Sequence, residues 1–175
     1  MTAAWTIYQS PLGPLTLIGG PADRRACRPC ASLDAANRST RHVRTPGAFE
    51  AMTEQLDQYF VGARGGFDLP LDVVGTPFQR RVWQQLCAIP YGTTLTYTAL
   101  ANAIGRPDRV RAAAAAVGRT PVPIIIPCHR VIAANGDLTG YLGGLHRKRA
   151  LLDFEAANSR REPPFAWATR QLSLN

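Results

Sequence analysis

The chain has 175 residues, a formal net charge of +8 and a hydrophobic content of 46%. This length suits one ordinary domain or two small ones, and the apolar content is sufficient for a packed core. No apolar run reaches the roughly 20 residues of a membrane span, and the first residues lack the pattern of a secretory signal. We therefore expect a cytoplasmic protein without a membrane partner, and exclude collagen, coiled coils, membrane channels and disulfide-dense toxins.

The positive charge is unevenly distributed along the chain. Residues 1–75 carry seven basic and seven acidic side chains, whereas residues 76–175 carry 13 basic and five acidic ones. A genome bias explains why 19 of the 20 basic residues are arginine, but it does not explain this distribution. The basic second part is typical of a surface that faces a polyanion such as nucleic acid.

Four cysteines are present, and without a secretory signal we expect them to be reduced. Cys27 and Cys30 form a CxxC pair with His42 nearby, but a tetrahedral zinc site needs four ligands, so we expect no metal. Cys87 lies in an apolar helical pattern and is expected to be a small core residue. Cys128 has a different context, described below.

The first part of the chain alternates β-prone and helical patterns. Residues 5–18 hold two β-prone runs around a turn at residues 10–13, which predicts a hairpin. Residues 21–45 are rich in arginine and irregular, with room for one weak strand. Apolar residues at three- and four-residue steps predict an amphipathic helix over residues 47–61, and residues 69–74 are expected to form a strand or an extended linker.

The second part has a helical pattern. Thr76 is a good N-cap and Pro77 a good first residue of a helix, which ends before Pro90. Two short helices are predicted over residues 97–104 and 108–117, separated by a glycine-containing turn. This arrangement is typical of a helix-turn-helix, although any helical hairpin has a similar pattern.

These patterns predict an α/β protein. We expect a small N-terminal α/β domain over residues 1–72, with an antiparallel sheet and a helix. A mostly helical domain with a helix-turn-helix follows over residues 73–160, and residues 161–175 form a tail.

The second predicted helix of the pair is rich in alanine, from Ala112 to Ala116, after Arg109 and Arg111. Alanine is the best helix former and allows a helix to approach another surface closely. The pattern therefore suits either tight helix packing or a helix pressed against a DNA groove with arginines reaching in.

Residues 121–132 read PVPIIIPCHRVI. Three consecutive isoleucines predict a buried extended segment, which Pro127 ends. Cys128 and His129 follow directly. Since thiolate is the reactive form of cysteine, and a nearby histidine or positive charge lowers the thiol pKa, this pair is a candidate nucleophile and base.

The sequence around PCHRVI resembles the active-site region of the O6-alkylguanine-DNA alkyltransferases. The resemblance rests on the following segments of this chain: SPLG at 10–13, GAF at 47–49, residues 78–83, IPYG at 89–92, PCHRVI at 127–132, NG at 135–136, LTGY at 138–141, GG at 143–144 and RKRALL at 147–152. It covers most of the chain.

The resemblance implies direct DNA repair, in which the alkyl group on O6 of guanine, or O4 of thymine, moves once to a cysteine that is not regenerated. Cys128 matches the acceptor, and His129 matches a general base that acts through a water molecule. Glu155 matches the carboxylate that orients the histidine, although from sequence alone a solvated helix residue is the simpler interpretation. Tyr97 matches a tyrosine that turns a backbone phosphate and hydrogen-bonds guanine N3.

The implied partner is double-stranded DNA containing O6-alkylguanine, with the target base flipped out of the duplex. Arg111 matches a finger that fills the stack. The DNA-contacting residues implied are Thr94, Tyr97, Arg111, Ala112, Ala115 and Arg130. The substrate-binding residues implied are Val117, Pro123, Val131, Tyr141 and Leu142. No cofactor is implied, and we expect a monomer, with self-association on DNA left open.

Two positions depart from the family pattern. Thr120 stands where the family usually has an asparagine that couples the recognition helix to the active-site segment, so we expect altered coupling. Leu142 is bulky where a small residue is usual, which is expected to narrow the range of alkyl groups.

Three other functions were weighed. A non-repairing lesion-binding protein of the alkyltransferase-like type is disfavoured because such proteins replace the cysteine. A transcription regulator is disfavoured because no extra domain is present. A cysteine hydrolase would need a deacylating water, and nothing in the sequence indicates one.

Overall fold

The N-terminal hairpin has the predicted turn. Strands β1 (Ala3–Ser10) and β2 (Gly13–Gly19) pair antiparallel, joined by the two-residue turn Pro11–Leu12. Gly13 has φ +96°, a conformation that glycine adopts without steric cost. The Ser10 hydroxyl closes the turn by donating to the Gly13 carbonyl at 2.6 Å.

The computed structural model describes residues 3–19, 42–71 and 73–159. The predictions for residues 20–41, which include Cys27 and Cys30, and for the tail lie outside these ranges. A third strand, β3 (His42–Arg44), pairs parallel with β1, so that the strand order is β2–β1–β3. The small N-terminal sheet is therefore present as expected, but it is mixed rather than purely antiparallel.

One amphipathic helix covers this sheet, as the periodicity predicts. A 3-10 turn (Pro46–Phe49) leads into α1 (Glu50–Phe60). Met52, Leu56 and Tyr59 are buried on the inner face of α1. The segment near residues 69–74, expected to be a strand or a linker, has no strand in its described part, residues 69–71 and 73–74, and forms a linker.

Helix α2 (Pro77–Cys87) begins at the predicted cap. The Thr76 hydroxyl accepts a hydrogen bond from the Gln79 backbone N–H, and the Gln79 side chain accepts one from the Thr76 N–H. This reciprocal pair satisfies two N–H groups that the first turn of a helix leaves without partners.

Two short helices follow strand β4 (Leu95–Thr96). Helix α3 (Tyr97–Ala103) is joined to α4 (Val110–Gly118) through a 3-10 turn, and the two helices pack on one another. Trp83 of α2 donates from its indole nitrogen to the Ala116 carbonyl of α4 at 2.9 Å. Buried contacts therefore fix α4 from the side of α2.

The remaining elements are β5 (Val131–Ile132), parallel to β4, and α5 (Leu145–Asn158). An aromatic cluster joins the N-terminal part to α5. The Tyr59 ring lies 5.8 Å from that of Phe154 and 6.0 Å from that of Tyr91, between ring centroids. Within the described ranges, no helix has the length and apolar character needed to cross a bilayer.

Candidate active site

The segment before Cys128 is a buried turn, not the extended strand that its isoleucines predicted. The Ile126 N–H donates to the Val122 carbonyl at 2.9 Å, and Ile124 has φ +75°. A β-branched residue at positive φ is sterically unfavourable and persists only where the surroundings enforce it. The turn brings Cys128 to the start of a 3-10 turn (Cys128–Arg130).

The Cys128 thiol is buried, with 6% of the residue exposed. Burial raises the pKa of the Cys128 thiol to about 11, although a hydrogen bond with Thr120 and the charge of Lys148 oppose the shift. The sequence predicted a thiolate maintained by the adjacent histidine. In the structure the resting sulfur is a protonated thiol, because desolvation of the anion outweighs the nearby positive charge.

His129 is fully buried and bonded to Glu155, with 2.9 Å between Nε2 and Oε1. An ionised carboxylate accepts only, so we assign the imidazole proton to Nε2. Nδ1 is buried without a hydrogen-bond partner in the described part of the chain. Burial lowers the pKa of His129, although Glu155 opposes the shift. The imidazole is therefore neutral, with a lone pair available on Nδ1.

Arg130 lies in the interior, which corrects the prediction that it contacts DNA. Only 5% of Arg130 is exposed. Its guanidinium donates to both oxygens of Glu155 at 2.9 Å, to the Ile89 carbonyl at 2.7 Å and to the Gly65 carbonyl at 3.3 Å. These contacts make Arg130 the counter-charge of the buried carboxylate.

Glu155 is also buried, so the solvated helix residue that sequence alone favoured is excluded. It accepts five hydrogen bonds, two of them from Arg130 and the others from His129, the Gly92 N–H and the Tyr59 hydroxyl. Burial alone would raise the pKa of Glu155, but its bonds with His129 and Arg130 outweigh burial and lower it to about 2.

Sequence reasoning missed Tyr59 as a site residue. Its place three residues after Leu56 is compatible with a buried helix face, but nothing in the sequence connects α1 to a carboxylate on α5. The Tyr59 hydroxyl donates to Glu155 Oε1 at 2.7 Å.

Lys148 is buried below the loop that precedes α5. Its Nζ donates to the carbonyls of Val131 at 2.6 Å and Thr139 at 2.7 Å. The Val131 N–H donates to the Cys128 carbonyl. Val131 is therefore held in the interior on both sides of its peptide, and its role in substrate binding stays a prediction.

A pocket opens beside the thiol. It is lined by Val117, Gly118, Thr120, Pro123, Cys128, Gly140, Tyr141 and Leu142. Four of the five predicted substrate-binding residues belong to this set. The pocket volume is about 10 Å³, comparable with the space for one water molecule. It must widen to admit a purine.

The predicted DNA-contacting residues other than Arg130 lie at or near the surface around α3 and α4. Thr94, Arg111 and Ala115 are exposed, whereas Tyr97 and Ala112 are partly exposed. The Tyr97 hydroxyl lies 3.5 Å from the carbonyl oxygen of Thr139, which neighbours the pocket residue Gly140. Helix α4 thus runs from an exposed arginine to the pocket.

Within the ranges that the structure describes, no cluster of His, Cys, Asp and Glu side chains has the arrangement of a metal site.

Two family models match the chain. The ribonuclease-like domain of 6-O-methylguanine DNA methyltransferase matches residues 3–73, and the DNA binding domain of 6-O-methylguanine DNA methyltransferase matches residues 77–157.

Curated relatives match over most of the chain. The methylated-DNA–protein-cysteine methyltransferase of Mycobacterium tuberculosis is 47% identical over 150 residues, which span 86% of this chain and 90% of that protein. The enzyme of the same name from Methanosarcina barkeri is 40% identical over 156 residues, spanning 89% and 99%. A crystal structure of M. tuberculosis OGT in complex with DNA superposes with a TM-score of 0.79 and 44% identity, covering 89% of this chain and 94% of that one.

Proposed function

This chain belongs to the 6-O-methylguanine DNA methyltransferase family and acts as a methylated-DNA–protein-cysteine methyltransferase, and we propose that Cys128 is the acceptor in a single-turnover repair of O6-alkylguanine in duplex DNA. The observation that carries this assignment is the buried arrangement Cys128, His129 and Glu155 beside a pocket. It has the nucleophile, base and orienting carboxylate of a triad.

The first step is removal of the thiol proton. Because burial raises the pKa of Cys128, the sulfur needs a base at the moment of attack. His129 Nδ1 is the acceptor of that proton, through a water molecule. Glu155 stabilises the imidazolium that forms, because its ionised carboxylate accepts a hydrogen bond from Nε2–H, with 2.9 Å between Nε2 and Oε1.

In the transfer itself, the Cys128 sulfur forms a bond to the alkyl carbon as the bond between that carbon and O6 breaks. The electron pair of the broken bond stays on the guanine, which takes up a proton from water and leaves as a neutral base, while the His129 imidazolium returns the thiol proton to water. The Tyr97 hydroxyl supports this departure by a hydrogen bond to guanine N3. The product is a thioether, which has no leaving group under these conditions, so the protein acts once. The same geometry serves O4-alkylthymine.

The lesion reaches the thiol by base flipping, since O6 of a stacked guanine is out of reach of a buried sulfur. The exposed face of α4 supports this mode of binding. Arg111, Ala115 and Gly118 lie on one side of α4, whereas Ala113 and Ala116 are buried on the other. We assign this α3–α4 pair as the helix-turn-helix, with α4 against the minor groove and Arg111 in the vacated stack.

The domain boundary belongs to the same proposal. We place it near residue 73, in the linker before α2, and take the protein to act as a cytoplasmic monomer. Phosphate contacts by the basic second part would make DNA binding weaken steeply with salt.

Mass spectrometry tests the assignment. After incubation with duplex DNA that contains O6-methylguanine, the peptide bearing Cys128 gains one methyl group. Cys128→Ser abolishes transfer, whereas Cys87→Ser, the matched change at the other cysteine in the described ranges, leaves it intact. Full repair by Cys128→Ser would reject the nucleophile, and more than one lesion repaired per protein would reject single turnover.

A further inference from the structure

We propose that Tyr59, on helix α1, is a positioning residue for the transfer: its hydroxyl fixes Glu155 behind His129 and limits how strongly that carboxylate holds a proton on the imidazole. The kinetic part of this inference rests on the proposed function. Its structural part concerns a contact between residues 96 positions apart in the chain.

The contact is made at the oxygen that matters for the histidine. Glu155 Oε1 accepts from the Tyr59 hydroxyl at 2.7 Å, from His129 Nε2 at 2.9 Å and from Arg130 Nη2 at 2.9 Å. Three donors therefore share one carboxylate oxygen, and each reduces the negative charge that remains for the other two.

The Tyr59 ring is held independently of its hydroxyl. It is fully buried, and its centroid lies 5.2–6.0 Å from the neighbouring rings of Phe60, Phe67, Tyr91 and Phe154. Burial and the nearby Glu155 charge raise the pKa of Tyr59 well above its usual value. The phenol is therefore a permanent donor with a fixed direction, and removal of its oxygen leaves the packing in place.

The electrostatic surroundings of His129 determine the direction of the expected effect. Arg130 beside it and Lys148 on α5 both lower the pKa of His129, in the same sense as burial, whereas Glu155 raises it. Tyr59 faces the carboxylate from α1, and the ring of Tyr91 faces the Arg130 guanidinium at 5.6 Å. Loss of the phenol hydrogen bond leaves more negative charge on Oε1, which stabilises the imidazolium and raises the pKa of His129.

Tyr59 does not line the pocket beside Cys128. A change at its hydroxyl is therefore expected to alter proton transfer without altering the binding of the lesion. This separates the proposed role from a contact with substrate.

The test compares wild type, Tyr59→Phe and Tyr8→Phe in single-turnover transfer from O6-methylguanine duplex DNA across the acidic and neutral pH range. Tyr8 is a matched control, because its hydroxyl also donates to a carboxylate, Asp57 Oδ1, at 2.7 Å, away from the site. In Tyr59→Phe the midpoint of the acid limb of the pH–rate profile, where protonation of His129 stops transfer, moves up by about half a pH unit. The rate below it falls about threefold, and DNA affinity is unchanged. Tyr8→Phe follows the wild type.

The inference would be overturned if the acid limb of the Tyr59→Phe pH–rate profile coincided with that of wild type, whether or not the maximal rate is lower. A purely structural role slows the reaction without moving the limb. NMR titration of His129 in the DNA-free protein measures the same shift independently of transfer. If wild type transferred no methyl group, the proposed function would fail, and this titration would still decide the role of Tyr59.

Should Tyr59→Phe not fold, 3-fluorotyrosine at position 59 keeps the ring and the hydroxyl but makes the phenol a stronger donor. It shifts the His129 titration to lower pH, in the opposite direction to Tyr59→Phe. An unchanged titration in that protein would reject the inference equally well.

Discussion

Arg130 and Glu155 form a buried ion pair in which two hydrogen bonds, each 2.9 Å, join guanidinium and carboxylate directly behind His129. Such two-pronged pairs fix the plane of the carboxylate. The orientation of the histidine thus depends on an ion pair that is almost completely buried.

Loss of the Glu155 charge is expected to destabilise the fold as well as prevent transfer. Glu155→Gln leaves the buried Arg130 without a counter-charge, which costs about 3–5 kcal/mol in free energy of unfolding. Urea unfolding measures this cost, and Asp153→Asn, at an exposed carboxylate of the same helix, is the matched control. Equal stability of Glu155→Gln and wild type would contradict the prediction.

The same pair has a defined pH dependence. The pKa of Glu155 falls from 4.5 to about 2 on folding. Its stabilising contribution is therefore complete above about pH 4.5 and is lost as the pH falls towards 2. The unfolding free energies of wild type and Glu155→Gln should converge over that interval.

The burial of His129 leads us to expect a second loss of stability, which begins closer to neutral pH. Its pKa is lowered below 6.5 in the folded protein, so the unfolded chain takes up a proton first as the pH falls below that value, and wild type is destabilised. His129→Gln removes this component, whereas His146→Gln, at an exposed residue, retains it. The free energy of unfolding of each protein is measured with urea at several pH values. If it changed with pH in parallel for wild type and His129→Gln between neutral pH and the His129 pKa, this would argue against a buried neutral imidazole.

The secondary structure was largely predictable, because local signals determine it. Thr76 and Pro77 specify the start of α2, and the two-residue turn before Gly13 specifies the hairpin. The segment around Ile124 was not predictable as a turn, because its isoleucines favour a strand and only tertiary packing holds a β-branched residue at positive φ.

The site was predictable in part. The PCHR motif indicated Cys128 and His129, but sequence gave no measure of burial, so the protonation state of the thiol and the interior position of Arg130 were missed. Tyr59 was missed because its partner lies 96 residues away, and long-range contacts carry no local pattern. These errors all concern desolvation and tertiary contact rather than residue type.

Thr120 tests how the thiol is activated. Its hydroxyl donates to the Val117 carbonyl at 2.7 Å. When the thiolate forms, the hydroxyl rotates its single proton towards the sulfur, and this hydrogen bond lowers the pKa of the Cys128 thiol. Thr120→Val removes the hydroxyl at nearly constant shape, so we expect a higher Cys128 pKa and transfer slower by about tenfold, equivalent to one pKa unit. Thr120→Ser should retain most activity. The pH dependence of iodoacetamide alkylation measures the pKa, and identical profiles for the three proteins would refute the role.

Leu142 is expected to restrict the size of the alkyl group. It lines the narrow pocket and is 69% exposed, so its side chain lies at the mouth. Leu142→Ala should increase the rate with O6-benzylguanine relative to O6-methylguanine by about tenfold, the lower end of the effect of a single methylene group in an apolar pocket. Leu145→Ala, at a nearby exposed leucine outside the pocket lining, is the control. Equal rate ratios in both variants would remove Leu142 as the determinant of size.

Arg111 distinguishes base flipping from chemistry. It is exposed on α4 and does not line the pocket that contains Cys128, and the proposed function places it in the stack that the guanine leaves. Arg111→Ala should therefore slow repair of duplex DNA by about tenfold or more, since unstacking costs a few kcal/mol, while reaction with free O6-benzylguanine stays near the wild-type rate. Arg44→Ala, at an exposed arginine of β3, should change neither reaction. An equal loss on duplex and free base would mean that Arg111 supports the active site itself and has no role in extrusion of the lesion.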